Sequence, residues 1–210
     1  MIFHRRLSFA ETGTRSWCRR WKNHGVFTTV EHLILRTILR NGESSRRNIG
    51  AGRMNDRQIA FIMCVNDDRQ ADESEFYIRC LEVPEQYEVD VIRVREAESM
   101  TAGYNAAMEN SDARYKVYLH QDTRIIAPGF IRDMINVFKN DDTIGMLGCV
   151  CCRKLPANGQ AVGHWDAGMV YHNCIPGMLT LEQDKEQQPV EVEALDGLLL
   201  ATSRDVRWRE

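Results

Sequence analysis

KVYLHQDTRI, residues 116–125, is the stretch that decides the fold of this chain. Positions 117–119 are apolar and favour a β-strand. His120, Gln121 and Asp122 follow at once, and these three side chains bind metals or exchange hydrogen bonds. A buried strand that ends on such a cluster is typical of an open parallel sheet, in which ligands bind beyond the carboxyl ends of the strands.

The segments around this stretch alternate between strand-like and helix-like patterns. We predict strands at residues 58–65, 87–94, 115–119 and 144–150. We predict helices at residues 72–83, at residues 99–110 and after Pro128. Strand-like character returns at residues 190–203. Strands that alternate with helices indicate an α/β fold in three layers, with a mainly parallel sheet covered on both faces.

Charge divides the chain into two parts near Met54. Residues 1–53 carry a formal net charge of +8 and residues 54–210 carry −11, which together give the −3 of the whole chain. The basic part has arginine pairs and few packed apolar positions, which is typical of disorder. We therefore predict a basic, disordered extension at residues 1–53 and one folded domain at residues 54–210.

Neither a membrane span nor a secretory signal is predicted. The longest nearly uncharged apolar run, residues 144–152, is far shorter than the roughly 20 residues that a span needs. The start of the chain has no uninterrupted apolar core followed by a small-residue cleavage site. The seven cysteines are odd in number and lack a framework spacing. We therefore predict reduced thiols and a cytoplasmic location.

A zinc site is the alternative interpretation of the cysteines and histidines after residue 148. Its candidate ligands are Cys149, Cys151, Cys152, His164, His172 and Cys174. No Cys-x-x-Cys pair is present, and Cys151 and Cys152 would point to opposite faces of a strand. We therefore favour a buried strand here over a zinc site.

Polar residues follow three of the predicted strands directly. Asn66 and Asp67 come after the first strand, Glu96 after the second, and His120 and Asp122 after the third. Because the carboxyl ends of parallel strands meet, we expect these side chains to face one crevice. Asp122 suits a divalent ion that keeps positions for phosphate oxygens and water. Turns and helix caps are the alternative use of the same residue types.

The order of these segments resembles that of a known enzyme family. The segments are VND (65–67), REAESMTAGYNAAM (95–108), HQD (120–122) and DGLLLAT (196–202). They are similar to those of the GT-A glycosyltransferases of the inverting family-two type, and within it to the small branch named after a streptomycin-biosynthesis protein domain. The resemblance covers about residues 58–210 and implies a Rossmann-like GT-A domain.

The resemblance implies a nucleotide site and a metal site. Its nucleotide-binding positions fall on Asn66, Asp67, Glu96 and Asn105. Its metal position falls on Asp122, with His120 where the family usually has Asp, and a neutral imidazole still ligates a metal. Tyr104 also departs from the pattern, because it replaces the usual Arg.

The resemblance also implies a sugar site and a catalytic base. We expect the sugar contacts at His164, Trp165, Asp166 and Asp196. A tryptophan face stacks on a sugar ring, although a core position is the alternative for Trp165. The family's base lies tens of residues after DGLLLAT. We therefore expect the base beyond Glu210 and the domain to be incomplete at its C-terminal end, with Asp196 as the other candidate.

The activity implied by the resemblance is glycosyl transfer of the hexosyltransferase type. A nucleotide-diphosphate sugar binds with Mn²⁺ or Mg²⁺, and the sugar passes with inversion to a hydroxyl of a glycan or small-molecule acceptor. One alternative is a binding module of the same fold that recognises the donor without turnover. Another is a nucleic-acid-associated protein that uses the basic arm. The −11 charge of residues 54–210 argues against a nucleic-acid partner.

Overall fold

The structure is a computed structural model that describes residues 2–6, 28–30, 35–37, 54–161, 163–172, 178–181 and 190–209. Its helices are α1 (Asp68–Arg79), α2 (Met100–Glu109) and α3 (Phe130–Asn140). Among the described residues, no helix has both the length and the apolar character to cross a membrane.

The strands before α3 are β1 (Ile2–Arg6), β2 (Thr28–Val30), β3 (Leu35–Thr37), β4 (Asn55–Cys64), β5 (Glu88–Val94), β6 (Ala113–Leu119) and β7 (Thr123–Ile125). Those after α3 are β8 (Met146–Gly148), β9 (Val150–Cys152), β10 (Ala167–His172), β11 (Met178–Leu181), β12 (Val190–Glu191), β13 (Ala194–Leu195) and β14 (Leu199–Thr202). The larger sheet has the order β1-β5-β4-β6-β14-β8-β3-β12. The smaller sheet has the order β13-β9-β10-β2-β7, with β11 beside β10.

Strand β4 is the centre of the larger sheet. It pairs in parallel with β5 on one side and β6 on the other, so that Phe61 lies opposite both Val91 and Val117. Beyond β6 comes β14, which runs antiparallel to β6 and to β8. The predicted α/β fold with a mainly parallel central sheet is confirmed.

The side chains of β4 alternate between two apolar cores, as the pleat of a strand requires. Ile59, Phe61 and Met63 pack in the core that contains the buried residues of α1 and α3. Ala60 and Ile62 pack in the core that contains the buried face of α2. Helices therefore cover both faces of the sheet, in the three layers that the sequence predicts.

The predicted fourth strand, residues 144–150, is wrong as a single element. Met146–Gly148 belongs to the larger sheet, whereas Val150–Cys152 belongs to the smaller one, and Cys149 lies between them. Gly168 of β10 lets that strand lie against the backbone at the break, since a Cβ there would lie 2.2 Å from the Cys149 carbonyl oxygen. Its φ of 112° also requires glycine.

Three described strands lie within the predicted extension, residues 1–53. β1 pairs with β5, β2 pairs with β7 and β10, and β3 pairs with β8 and β12. The remainder of residues 1–53 lies outside the described residues, so the extension and its boundary at residue 54 stay a prediction.

A buried lysine ties the end of the described chain to the sheet. Lys116 of β6 is 0% exposed, and its Nζ donates to the Ala113 carbonyl oxygen at 2.5 Å and to Asp205 Oδ1 at 2.6 Å. Next to it on the same face, the Tyr118 ring lies 4.9 Å from the Trp208 ring and 5.0 Å from the Tyr104 ring. The segment after β14 therefore closes the core over α2.

We expect Asp205→Ala to lower the free energy of unfolding by about 1–3 kcal/mol, because it leaves the Lys116 ammonium without its carboxylate. The loss stays below that of a fully buried pair, since the Asp205 side chain is 48% exposed. The additional change Lys116→Met should restore most of the lost stability. Urea unfolding measures the free energy of unfolding of the parent, of Asp205→Ala and of the double variant.

The control is Glu109→Ala, which removes an exposed partner of Arg207 in the same segment. An exposed pair contributes little, so this variant should stay within about 0.5 kcal/mol of the parent. If Asp205→Ala lost no more stability than Glu109→Ala, the buried Lys116 ammonium would not depend on Asp205.

Candidate functional site

A cleft of about 470 Å³ opens at the edge of the larger sheet where β4, β5 and β6 end. These strands are parallel, so their carboxyl ends meet at this edge. Four of the residues predicted from the strand ends line the cleft, namely Asn66, Glu96, His120 and Asp122. The parallel register alone accounts for this meeting of residues that are distant in sequence.

The first wall of the cleft is the loop between β4 and α1. Asp67 is the N-cap of α1, where its Oδ1 accepts from the backbone N–H groups of Arg69 at 2.9 Å and Gln70 at 3.3 Å. Its carboxylate thereby satisfies N–H groups that the helix start leaves open. Asp67 does not line the cleft, whereas its neighbour Asn66 does.

Gln121 joins this wall to the turn after β6. Its Oε1 accepts from the backbone N–H groups of Asn66 at 2.9 Å and Asp67 at 3.0 Å. Its Nε2 donates to the side-chain oxygens of Asn66 and Gln70. Two acceptor and two donor bonds use the full capacity of a glutamine amide. The Asn66 side chain is therefore fixed in the cleft by Gln121, a role that the sequence did not predict for this residue.

The second wall is the segment between β5 and α2. Glu96 has a φ of 57°, and among the described residues it is the non-glycine residue with a positive φ. This left-handed conformation costs roughly 1–2 kcal/mol outside glycine, and such strain is concentrated at functional sites. On either side, Arg95 pairs with Asp68 of α1 and Ser99 caps α2. The strained turn is thus held at both ends.

The third wall is the turn of His120 to Asp122. The His120 backbone N–H donates to the Leu198 carbonyl oxygen at 3.0 Å. Arg124, which is 3% exposed, donates to the Asp122 carbonyl oxygen at 2.8 Å and pairs with Glu73 of α1 at 2.5 Å. The backbone that carries both predicted metal ligands is therefore fixed from two sides.

Cys64 and Tyr104 line the apolar part of the cleft. Burial raises the pKa of the Cys64 thiol to about 11, so this cysteine is a neutral thiol at pH 7 and a poor nucleophile. Burial also raises the pKa of the Tyr104 phenol. Gly103 lets α2 approach, because a Cβ at that position would lie 2.6 Å from Cys64 Sγ.

Asn105 lies outside the cleft. It is 3% exposed, and its side-chain amide makes two bonds to the backbone of Trp208. Nδ2 donates to the Trp208 carbonyl oxygen at 2.9 Å, and Oδ1 accepts from the Trp208 N–H at 2.8 Å. In this structure Asn105 anchors the segment after β14 to α2.

The predicted sugar contacts are divided between two places. Trp165 packs against the core of α1 and α3, and the Asp166 Oδ1 accepts from the Arg153 N–H at 2.8 Å. Trp165, Asp166 and the exposed His164 do not line the cleft. Asp196 lies in the turn next to it, where its Oδ1 accepts from the Leu198 N–H at 2.9 Å. A Cβ on the adjacent Gly197 would lie 3.9 Å from His120 Nε2.

Comparison with protein families identifies the relationship. Residues 60–210 match the model of a family described as "Glycosyltransferase like family". The chain belongs to this glycosyltransferase-like family. The family-two resemblance is thereby supported, whereas the streptomycin-related branch and the incomplete C-terminal end stay predictions. A search of curated proteins gave no match.

Two side chains of the types that bind divalent ions line the glycosyltransferase-like cleft. His120 and Asp122 line it, and no group of three or more His, Cys, Asp or Glu side chains able to hold a metal occurs among the described residues. Mg²⁺ and Mn²⁺ sites built with one or two protein ligands and phosphate oxygens are common. For the zinc alternative, Cys149, Cys151 and Cys152 are free thiols, and Cys174 lies outside the described residues.

We expect Gln121→Ala to release the loop between β4 and α1 of this glycosyltransferase-like domain. The backbone N–H groups of Asn66 and Asp67 lose their acceptor, and a lost hydrogen bond of about 1 kcal/mol corresponds to roughly fivefold faster amide exchange. Hydrogen exchange read by NMR at these two residues is the measurement.

Gln70→Ala is the matched control, because it removes an acceptor of Gln121 Nε2 and leaves both backbone N–H bonds in place. Unchanged amide exchange at Asn66 and Asp67 in Gln121→Ala would show that Gln121 does not hold the loop between β4 and α1.

Proposed function

We propose that this protein binds a nucleotide-diphosphate sugar in the strand-end cleft and transfers the sugar, a hexose or a related one, to an acceptor hydroxyl with inversion. The observation that carries the proposal is the meeting of Asn66, Glu96, His120 and Asp122 in one cleft of about 470 Å³. That volume falls in the range of small-molecule sites, which is about 300–1,000 Å³. Membership of a glycosyltransferase-like family supports the reaction class.

Asn66 and Glu96 are the proposed nucleotide contacts. Asn66 is held by Gln121, and the amide side chain is suited to the hydrogen-bonding edge of a base. Glu96 brings a carboxylate to the opposite wall, where it can accept from ribose hydroxyls. Asp67 and Asn105 are engaged with protein backbone. We assign them the positioning of α1 and α2 next to the nucleotide.

His120 and Asp122 are the proposed ligands of Mn²⁺ or Mg²⁺. When bound, such an ion neutralises the charge of a diphosphate leaving group. The chain's own contribution is a fixed backbone, since Arg124 holds the Asp122 carbonyl oxygen and Leu198 holds the His120 N–H. Both side chains are thereby presented to the cleft without reorganisation.

Asp196 is the proposed base within the described residues. It lies in the turn beside His120, and one carboxylate oxygen is used by the Leu198 N–H. The other has no hydrogen-bond partner among the described residues and can accept a proton from an acceptor hydroxyl, the step that general-base catalysis requires. His164, Trp165 and Asp166 lie outside the cleft, so a role in sugar binding is proposed for them only at a distal part of the acceptor.

A reducing, cytoplasmic location is part of the proposal. Cys64, Cys149, Cys151 and Cys152 are free thiols, and burial raises the pKa of Cys149 and of Cys151 to about 12. Neutral, buried thiols are typical of structural cysteines in reducing compartments.

We expect a nucleoside diphosphate to stabilise the parent protein in the presence of Mn²⁺, by about 2.7 kcal/mol at a hundredfold excess over its dissociation constant. Asp122→Asn should abolish the Mn²⁺-dependent part of this stabilisation. Its melting temperature without ligand should not change, because a half-buried cleft ligand contributes little to the core. A thermal-shift panel of nucleoside diphosphates, with and without Mn²⁺, is the measurement.

The control is Asp142→Asn, a change at an exposed carboxylate after α3 that does not line the cleft. Equal Mn²⁺-dependent stabilisation in Asp122→Asn and the parent would refute the metal assignment, and no stabilisation by any nucleotide in the parent would refute the donor site.

Asp196→Asn should lower acceptor-dependent release of the nucleoside diphosphate by about 10²–10⁴-fold, because the amide keeps the turn bond to Leu198 but cannot accept a proton. Asp141→Asn is matched to it, since the Asp141 Oδ1 accepts from the Thr143 N–H in a turn away from the cleft. This control should keep the parent rate.

Donor binding should be unchanged in Asp196→Asn. Equal rates in the two variants would exclude Asp196 as the base. Metal-dependent binding by the parent without any release would instead support the alternative of a nucleotide-sugar binding module.

A further inference from the structure

A second pocket, of about 360 Å³, lies at the edge of the larger sheet opposite the cleft. Asp56 and Arg57 enter it from the start of β4, Arg114 and Tyr115 from the start of β6, and Tyr87 from the residue before β5. Since β4 has ten residues, the two edges are about 30 Å apart. A ligand in this pocket cannot be the nucleotide of the cleft.

The pocket is cationic within an acidic domain. Arg57, Arg114 and Lys139 line it against the single lining carboxylate of Asp56, although residues 54–210 carry a net charge of −11. A positive pocket on a negative domain attracts anions locally that the remaining surface repels.

These three cations are poorly neutralised by the described residues. Arg114 meets Asp56 at 3.4 Å in an exposed pair, which is a weak interaction. The Arg57 side chain has no hydrogen-bond or ion-pair partner among the described residues. Lys139 lies 5.6 Å from the centre of the Tyr87 ring and has no carboxylate partner in the described part of the chain. Their charge is available to a ligand.

The remaining groups of the pocket add neutral donors. The Tyr87 and Tyr115 rings meet edge to face at 6.2 Å. Tyr115 is 6% exposed, and its burial is the main cause that raises the pKa of its phenol. A neutral phenol donates a hydrogen bond, and so do guanidinium and ammonium groups. The lining therefore offers donors from three cations and two phenols, and Asp56 is its single carboxylate.

We propose that this pocket binds a tetrahedral oxyanion, the phosphate or sulfate group of a small ligand other than the sugar donor. Arginine guanidinium groups match phosphate oxygens in a bidentate manner, and Lys139 supplies a point charge. Arg57 and Arg114 lie at the starts of two neighbouring strands, with Arg57 in the irregular stretch of β4 between Asn55, which pairs with Ala113, and Ile59, which pairs with Tyr115. The site is independent of the proposed donor cleft.

The test is isothermal titration of the full chain with inorganic phosphate, sulfate and glucose 6-phosphate at constant ionic strength, with a chelator present. The chelator and a parallel titration of Asp122→Asn separate this pocket from the cleft. We expect saturable binding that Asp122→Asn does not alter. Tighter binding of glucose 6-phosphate than of inorganic phosphate supports a phosphorylated ligand, and tightest binding of sulfate supports a sulfated one.

Arg114→Ala and Lys139→Ala should each weaken this binding at least about tenfold, the typical effect of losing a charge-assisted hydrogen bond. Arg57→Gln provides a third variant at an exposed position. The matched control is Arg132→Ala, an exposed cation of the same helix as Lys139 that does not line the pocket. Melting curves show that each variant is folded.

Two results would overturn the proposal. One is the absence of saturable binding of any of the three probes. The other is equal affinity in the parent, Arg132→Ala and all three pocket variants, which would identify an adventitious ion only. Neither result bears on nucleotide binding, because the thermal-shift panel of nucleoside diphosphates tests the cleft separately, with Mn²⁺ present.

Discussion

The parallel pairing of β4 with both β5 and β6 is the constraint on which the remaining structure depends. It places residues 59–62 of β4 opposite both neighbouring strands, with Ile62 opposite Ile92 and Tyr118. All three carboxyl ends therefore fall at one edge, and all three starts fall at the other. The cleft and the cationic pocket are consequences of the same register, one at each edge.

The loops of the cleft are rigid because each is bonded to another element. Gln121 of the third wall bonds to the backbone of the first wall, and Arg95 of the second wall pairs with α1. The backbone of the third wall donates to the Leu198 carbonyl oxygen. A site held in this way pays little ordering entropy when a ligand arrives. The strained backbone at Glu96 persists because the Arg95–Asp68 ion pair holds it on one side and the Ser99 cap of α2 holds it on the other.

Hydrophobic periodicity was sufficient to predict the central elements and the strand-end residues. β4, β5, β6 and the three helices follow from apolar runs and stripes, although α1 begins and ends four residues before the helix predicted at residues 72–83. The parallel arrangement of the three strands brings Asn66, Glu96, His120 and Asp122 to one edge. The sequence did not decide whether Asp67 caps a helix or contacts a nucleotide, since an Asp before a helix is suited to both roles. Periodicity could not show the break at Cys149, because the runs on both sides are equally apolar.

Contacts between distant residues could not be predicted. Asn105 has the motif position of a ligand contact, yet Trp208, 103 residues away, takes both ends of its amide. The role of Gln121 likewise depends on where the loop after β4 lies, and the packing of Trp165 depends on how the residues before β10 meet the core of α1 and α3. No local pattern encodes these choices.

The antiparallel course of β14 has a consequence for how the protein is made. Gln121 bonds to a residue 55 positions earlier, but Thr123 of the same turn bonds to Leu198, 75 positions later. Closing such long loops is slow and comes late in folding. On the ribosome, β6 emerges well before its neighbour β14 and presents an unpaired strand edge in the meantime. The nascent chain must therefore keep that edge from mispairing until β14 is synthesised.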